Sequence, residues 1–418
     1  MLLTSFVLPT VVLAVLTGEH AEAVIYTADW ASLDARPLPK WYDEAKIGIF
    51  IHWGVFSVPG FGKYSEYFWW NWQGTKREAE IEFMKTNYPA GFTYPDFAHD
   101  FHGTWCLQPS ITRASPTGAL STRGTGTPWT PGPTGIWWRS WRQPSGRPDK
   151  ASGFKSQKFV FGKVLPELIH LVKTYQPELI WSDGDWEAPD TYWNSTHFLA
   201  WLYNDSPVKD VVVTNDRWGK GCYCKHGGYF NCADRYSPGH LLNHKWEKCQ
   251  SIDLQSWGYR RNMRLDELME LPTIIKDLVT TVALGGNYLL NVGPSPDGIL
   301  PPLFEERLRG MGAWLGVNGD AIYGSQPWRV QMENTSLPIW YTAKNTTVYA
   351  ILLARPSEYL LTLHTPITTP ATQVILLGKY PLLLQWAPLT PTAGLILLLP
   401  DLPESPGQAW ALRLLGVE

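Results

Sequence analysis

Four short apolar runs in this chain each finish on polar residues. They are Lys46–Gly54 (KIGIFIHWG), Leu179–Asp183 (LIWSD), Val211–Asp216 (VVVTND) and Tyr288–Gly293 (YLLNVG). Runs of this length with β-branched and aromatic residues predict buried strands. Between them, Pro166–Tyr175, Ser195–Tyr203, Leu265–Leu284 and Leu303–Leu315 carry apolar residues at helical spacing. Strands alternating with helices restrict the fold to a β/α barrel or a doubly wound sheet, both of which gather chemistry at strand C-terminal ends.

After about Tyr323 the pattern changes. Val348–Leu353, Tyr359–Leu363, Thr372–Leu377, Leu382–Trp386 and Gly394–Leu399 read as short strands punctuated by Pro and Gly, with no helix between them. This predicts a separate antiparallel β-sandwich. The expected organisation of the 418 residues is an α/β chain. It has a (β/α)8-like barrel over 24–325 and a C-terminal antiparallel β-sandwich over 326–418.

Residues 1–23 read as a secretory signal peptide, because Leu2–Leu16 is mostly apolar and is followed by the small-x-small run Ala21-Glu22-Ala23. No segment is long enough to span a bilayer. Secretory routing gives meaning to three glycosylation sequons, at Asn194, Asn334 and Asn345. Four of the five cysteines lie within Cys222–Cys249, so one or two local disulfides are expected there; zinc is the weaker reading, and Cys106 is left over. A net charge of −3 without a basic block excludes an electrostatic footprint for nucleic acid. No motif calls for a metal or cofactor. The 23 Trp suit sugar stacking as well as they suit an aromatic core.

Carboxylates near strand ends are the leading chemical groups. Asp183 ends an apolar strand and belongs at the mouth of the barrel; the competing reading is a helix cap or an Arg partner. Asp185 and Glu187 follow it in a looser stretch. Asp234 and Glu247 lie in a section dense in aromatics and His. Two carboxylates flanking a glycosidic bond suffice for its hydrolysis. His52, Glu66 and Arg217 are placed to contact hydroxyls or a carboxylate, each with a structural role as its alternative.

Taken together the strings resemble the α-L-fucosidases of glycoside hydrolase family 29. Pro238, Leu241, Lys245, Trp246, Glu247 and Cys249 match the family signature at its fixed positions. FIHWG at 50–54, WSDG at 181–184, YWNS at 192–195, NDRWG at 215–219, SWGYRR at 256–261 and GGNYLLN at 285–291 match as well. The resemblance implies a retaining exo-glycosidase, lysosomal or secreted, that removes terminal α-L-fucose from glycoproteins and glycolipids. It implies that Asp183 is the nucleophile and that either Asp234 or Glu247 is the acid/base. Asp234 is preferred, because Lys245 is placed to hold Glu247 in a structural ion pair. Phe50, His52, Glu66, Tyr67, Trp181, Arg217 and Trp257 fall at substrate-contact positions, with Tyr67 replacing the family's usual Trp. Fucosylated glycans are the expected partners, and a homo-oligomer is expected.

Residues 103–150 depart from this pattern. The resemblance covers Trp41–His102 and Phe154–Glu418. Between these the chain is rich in Pro and Gly, carries a single acidic residue, Asp149, and lacks the family's Lys-His-His string. A shifted reading frame or mis-joined exons would produce such a segment. With two barrel strands replaced, the expectation is a catalytically impaired, fucose-binding or misfolded product as the alternative to an active enzyme.

Overall fold

The computed structural model describes residues 24–102, 135–139, 154, 156–334 and 337–418. The leader at 1–23, Cys106 and most of the 103–150 segment lie outside the described residues.

Among the described residues of the first three quarters of the chain, six strands form two parallel sheets. In one, β1 (Ile47–Ile51) and β5 (Trp246–Ser251) flank β6 (Gly286–Val292). In the other, β2 (Gly135–Arg139) and β4 (Val213–Thr214) flank β3 (Leu179–Asp183). The run expected over Leu179–Asp183 forms its strand over the same residues. The one expected over Val211–Asp216 shortens to two residues. β5 has no counterpart in the apolar pattern, because Trp-Glu-Lys-Cys-Gln-Ser contains no apolar run; pairing with β6 makes it a strand. β2 lies inside the anomalous segment, and its backbone pairs with β3 from Gly135↔Leu179 to Arg139↔Asp183.

Helices follow the strands. Leu165–Tyr175 ends at Gln176, whose left-handed backbone (φ 48°) stops it, and it leads into β3. The helix expected over Leu265–Leu284 is shorter, Leu271–Ala283, with Pro272 in its first turn, where the missing N–H costs nothing. Its Ile274, Leu278 and Val282, with Ile275 and Val279, are fully buried. They pack with the helix Pro302–Asn318 and with β6 in one apolar core.

The C-terminal part is an antiparallel β domain. Its six-stranded sheet is ordered β12 (Leu382–Leu384), β11 (Thr368–Leu376), β15 (Trp410–Val417), β9 (Thr347–Leu352), β8 (Pro338–Lys344), β7 (Gln326–Asn334). A second sheet holds β10 (Leu360–Leu363), β14 (Leu395–Leu398) and β13 (Trp386–Pro388). The single strand expected over Leu382–Trp386 breaks at Gln385 and serves both sheets.

Alternation along β9 and β15 ties the two parts together. Val348, Ala350, Leu352, Trp410, Leu412 and Leu414 face the core shared with the second sheet. Tyr349, Ile351 and Ala411 face the helical layer instead, where Trp314 Nε1 donates to the Ala409 carbonyl at 3.0 Å. The large sheet is therefore covered on both faces at its centre.

Candidate active site

The C-terminal ends of the parallel strands converge. β1 brings Phe50 and then His52, β3 brings Trp181 and Asp183, and the turn after β4 brings Arg217. Glu66 and Tyr67 come from a short helical turn, Ser65–Tyr67, and Trp257 from the chain after β5. Together with Asp234, these residues line one open cavity of about 380 Å³. That is within the usual size range of small-ligand sites. Gly184 takes a left-handed backbone (φ 83°) directly after Asp183, a conformation that favours glycine.

Arg217 organises the electrostatics. Its Nη1 donates to Asp183 Oδ1 at 3.1 Å and its Nη2 to Asp234 Oδ1 at 2.7 Å, with a further bond from Nη2 to Asn231 Oδ1. The guanidinium lies 4.5 Å from the Trp181 ring centroid, a cation–π contact. Burial acts to lower its pKa, but the facing carboxylates outweigh it, so Arg217 is held firmly protonated. Asp183 is nearly buried, whereas the Asp234 side chain is 53% exposed. One carboxylate is thus fixed and screened, and the other is open to solvent.

His52 is oriented from behind. Asn291 Nδ2 donates to Ser251 Oγ at 2.9 Å and to the Trp257 carbonyl at 2.7 Å, which points its Oδ1 at His52. His52 Nδ1 therefore donates to that oxygen at 2.6 Å. Glu66 Oε2 accepts from Ser256 Oγ at 2.8 Å and from the Gly258 N–H at 3.1 Å. Those bonds hold an acidic group beside the Trp257 indole, a polar edge next to a flat apolar face. Such pairs grip a sugar's hydroxyls and its C–H face together.

Glu247 is not in this cavity. It is buried one layer below, where Oε1 accepts the Trp181 indole N–H at 2.9 Å and the Asn231 amide at 3.3 Å, and Oε2 accepts the Tyr42 hydroxyl at 3.0 Å. Burial pushes its pKa up to about 7 against the pull of these donors. The expected Lys245–Glu247 ion pair does not form. Lys245, which precedes β5, has its Nζ on Asp43 Oδ1 at 2.5 Å instead. The neighbouring Lys46, also buried, shares Asp43 at 2.9 Å.

The family model described as alpha-L-fucosidase matches residues 13–105 and 130–320, and that of the alpha-L-fucosidase C-terminal domain matches 331–415. The chain belongs to the α-L-fucosidase family. Human tissue alpha-L-fucosidase is 49% identical over 94% of this chain and 92% of its own length. Human plasma alpha-L-fucosidase is 45% identical over 94% and 93%. The Thermotoga maritima alpha-fucosidase crystallised with fucose superposes with a TM-score of 0.73 at 26% identity, covering 93% of this chain and all of that one. The match resumes at 130, earlier than the Phe154 read from motifs alone, and takes in β2.

Several features of this fucosidase-family chain were not visible in its motifs. Tyr64, Trp70, Asn71 and Arg77 also line the cavity. They come from an irregular stretch that has no period to read. Asp185 faces elsewhere: its carboxylate accepts from the Gly219 N–H at 2.7 Å and the Tyr223 hydroxyl at 2.8 Å, and burial raises its pKa to about 6. Of the clustered cysteines, Cys224 and Cys232 form a disulfide, while Cys222 and Cys249 are free and buried. Asn334 and Asn345 are exposed, the latter in the β8–β9 turn, and Asn194 is half-buried between two helices. Among the described residues no group of His, Cys, Asp and Glu is arranged to hold a metal ion, and no helix is long and apolar enough to cross a membrane.

Proposed function

We propose that this protein is a retaining exo-glycosidase that removes terminal α-L-fucose from glycoproteins and glycolipids, with Asp183 as nucleophile and Asp234 as acid/base. The observation that carries the reading is the shared guanidinium: Arg217 touches both carboxylates, at 3.1 and 2.7 Å, within one cavity. Carboxyls gripped by one guanidinium lie close together, the arrangement of double displacement, whereas inversion needs a wider gap for water. Family membership and the identity to tissue and plasma alpha-L-fucosidases support the same substrate.

In the first step the Asp183 carboxylate attacks the anomeric carbon, and Asp234 gives its proton to the departing glycosidic oxygen. In the second, Asp234 takes a proton from water, whose oxygen displaces Asp183 and frees fucose. The solvent access of Asp234 suits a group that must exchange a proton in every cycle, and the burial of Glu247 does not. His52 and Glu66 accept sugar hydroxyls, Phe50, Trp181 and Trp257 supply apolar faces, and Tyr67 closes the wall. Residues at or beyond the C-terminal ends of β1, β3, β4 and β5 line the cavity, which supports closure of the parallel strands into a (β/α)8-like barrel. Asn194, Asn334 and Asn345 are its glycosylation positions, in a protein of lysosomal or secreted destination that assembles as a homo-oligomer.

Release of chromophore from an aryl α-L-fucoside near pH 5, lost in Asp183→Ala, tests the proposal. Fucose binding without turnover by the unaltered chain would instead identify a catalytically silent product.

A further inference from the structure

Asp216 precedes Arg217 in sequence, yet its side chain turns the other way and reaches the loop that ends in Asp234. It is fully buried, and its Oδ2 accepts two backbone N–H groups, from Cys224 at 2.9 Å and Cys232 at 3.0 Å. Those residues are the two halves of the disulfide, with Cα atoms 4.9 Å apart. One carboxylate therefore grips both ends of the covalent link. Cys224, Cys232 and Arg235 all hold left-handed backbones (φ 57°, 54° and 59°), which residues with a Cβ adopt only when their surroundings impose it. Asp234 lies between the last two. The tip of the loop is secured separately, by Asp34, which accepts from the Gly227 N–H at 3.0 Å.

We propose that Asp216, through the Cys224–Cys232 clamp, is a positioning residue that sets where Asp234 stands relative to Arg217 and the departing oxygen. The Asp216 side chain does not line the cavity; it acts by fixing the backbone two residues before Asp234. The proposal rests on the reading of Asp234 as acid/base, and the test separates the two.

Proton donation matters most when the leaving group is a sugar alkoxide and least when it is fluoride. Asp216→Asn weakens the clamp: an uncharged amide oxygen in the Oδ2 place is a poorer acceptor for the two N–H groups than a carboxylate, and the flipped amide presents NH₂ to them. It is expected to lower kcat/KM on a fucosyl disaccharide by about 10²-fold while leaving α-L-fucosyl fluoride within about threefold of the unaltered protein. Asp234→Asn is expected to show the same split. If Asp234→Asn shows it and Asp216→Asn slows both substrates equally, or neither, the positioning role is overturned. If Asp234→Asn itself shows no split, it is the acid/base reading that fails. Should Asp216→Asn not fold, the Cys224→Ala/Cys232→Ala double variant opens the same clamp from its other side. It must then reproduce the split, and equal slowing of both substrates would overturn the proposal.

Discussion

Glu247 lies directly beneath Trp181: its Oε1 accepts the indole N–H at 2.9 Å, and the indole in turn carries the Arg217 guanidinium 4.5 Å from its ring centroid. A buried carboxylate thus supports the cavity floor without entering it. Asn231 belongs to the same scaffold, donating to Glu247 while accepting from Arg217. The family signature residue Glu247 and the cavity carboxylates Asp183 and Asp234 are one layer apart.

Glu247→Ala removes the acceptor for three donors, on Trp181, Tyr42 and Asn231. Each donor left unpaired in a dry site costs about 1–3 kcal/mol, so a loss of at least about 3 kcal/mol is expected in urea unfolding. Activity on an aryl fucoside should fall as Trp181 and Arg217 shift. On the proposed assignment of the acid/base to Asp234, Glu247 moves no proton, and the fall should be equal for good and poor leaving groups. A loss confined to poor leaving groups would return Glu247 to the acid/base role.

The buried carboxyls also make stability depend on pH. The Glu247 pKa rises in the fold from 4.5 to about 7, and that of Asp185 from 3.8 to about 6. Between these limits the folded state binds more protons than the unfolded chain, so both groups lower stability as pH rises through the window. For Glu247 the full span is on the order of 3 kcal/mol. The thermal midpoint should fall from pH 5 to pH 7, and Glu247→Gln should flatten that fall. An identical slope in the variant would remove Glu247 from the account.

Arg217→Lys keeps the charge but loses the fork. A single ammonium cannot serve Asp183, Asn231 and Asp234 in the geometry seen here. Small misplacement of reacting groups is costly, so kcat should drop on the order of 10²-fold with the circular dichroism spectrum unchanged. A rise in KM with kcat intact would show that Arg217 only binds sugar.

Asp43 neutralises two buried lysines, Lys46 and Lys245. Burial opposes its charge, but Lys245 and Lys46 prevail and hold its pKa at about 2. The stability it contributes is complete above its unfolded value of 3.8 and is lost as pH falls through about 2. Asp43→Asn leaves both ammonium groups unpaired, and about 3–5 kcal/mol should be lost near neutral pH. Burial already pulls Lys245 down to about 8, so the deficit should shrink in alkaline buffer as it deprotonates. A deficit that does not change with pH would mean that the lysines are not its cause.

What the sequence determined by itself was the alternation of apolar strands and helices, the change to an all-β domain, and the residues at strand ends. Apolar runs must be buried wherever the chain goes, so Leu179–Asp183 and Leu165–Tyr175 are legible without a partner. The cavity residues Phe50, His52, Glu66, Tyr67, Trp181, Asp183, Arg217, Asp234 and Trp257 were named from strand-end position and motif resemblance, and they meet in one place. Only the tertiary structure decided which carboxylate faces solvent and which lies beneath it. Glu247 and Asp234 are both acidic residues among aromatics. They differ because β5 pairs with β6 and turns Glu247 inward under Trp181, while Asp234 rides a loop clamped at Cys224 and Cys232. Strand pairing and loop closure join residues far apart in the chain, and no local pattern records them.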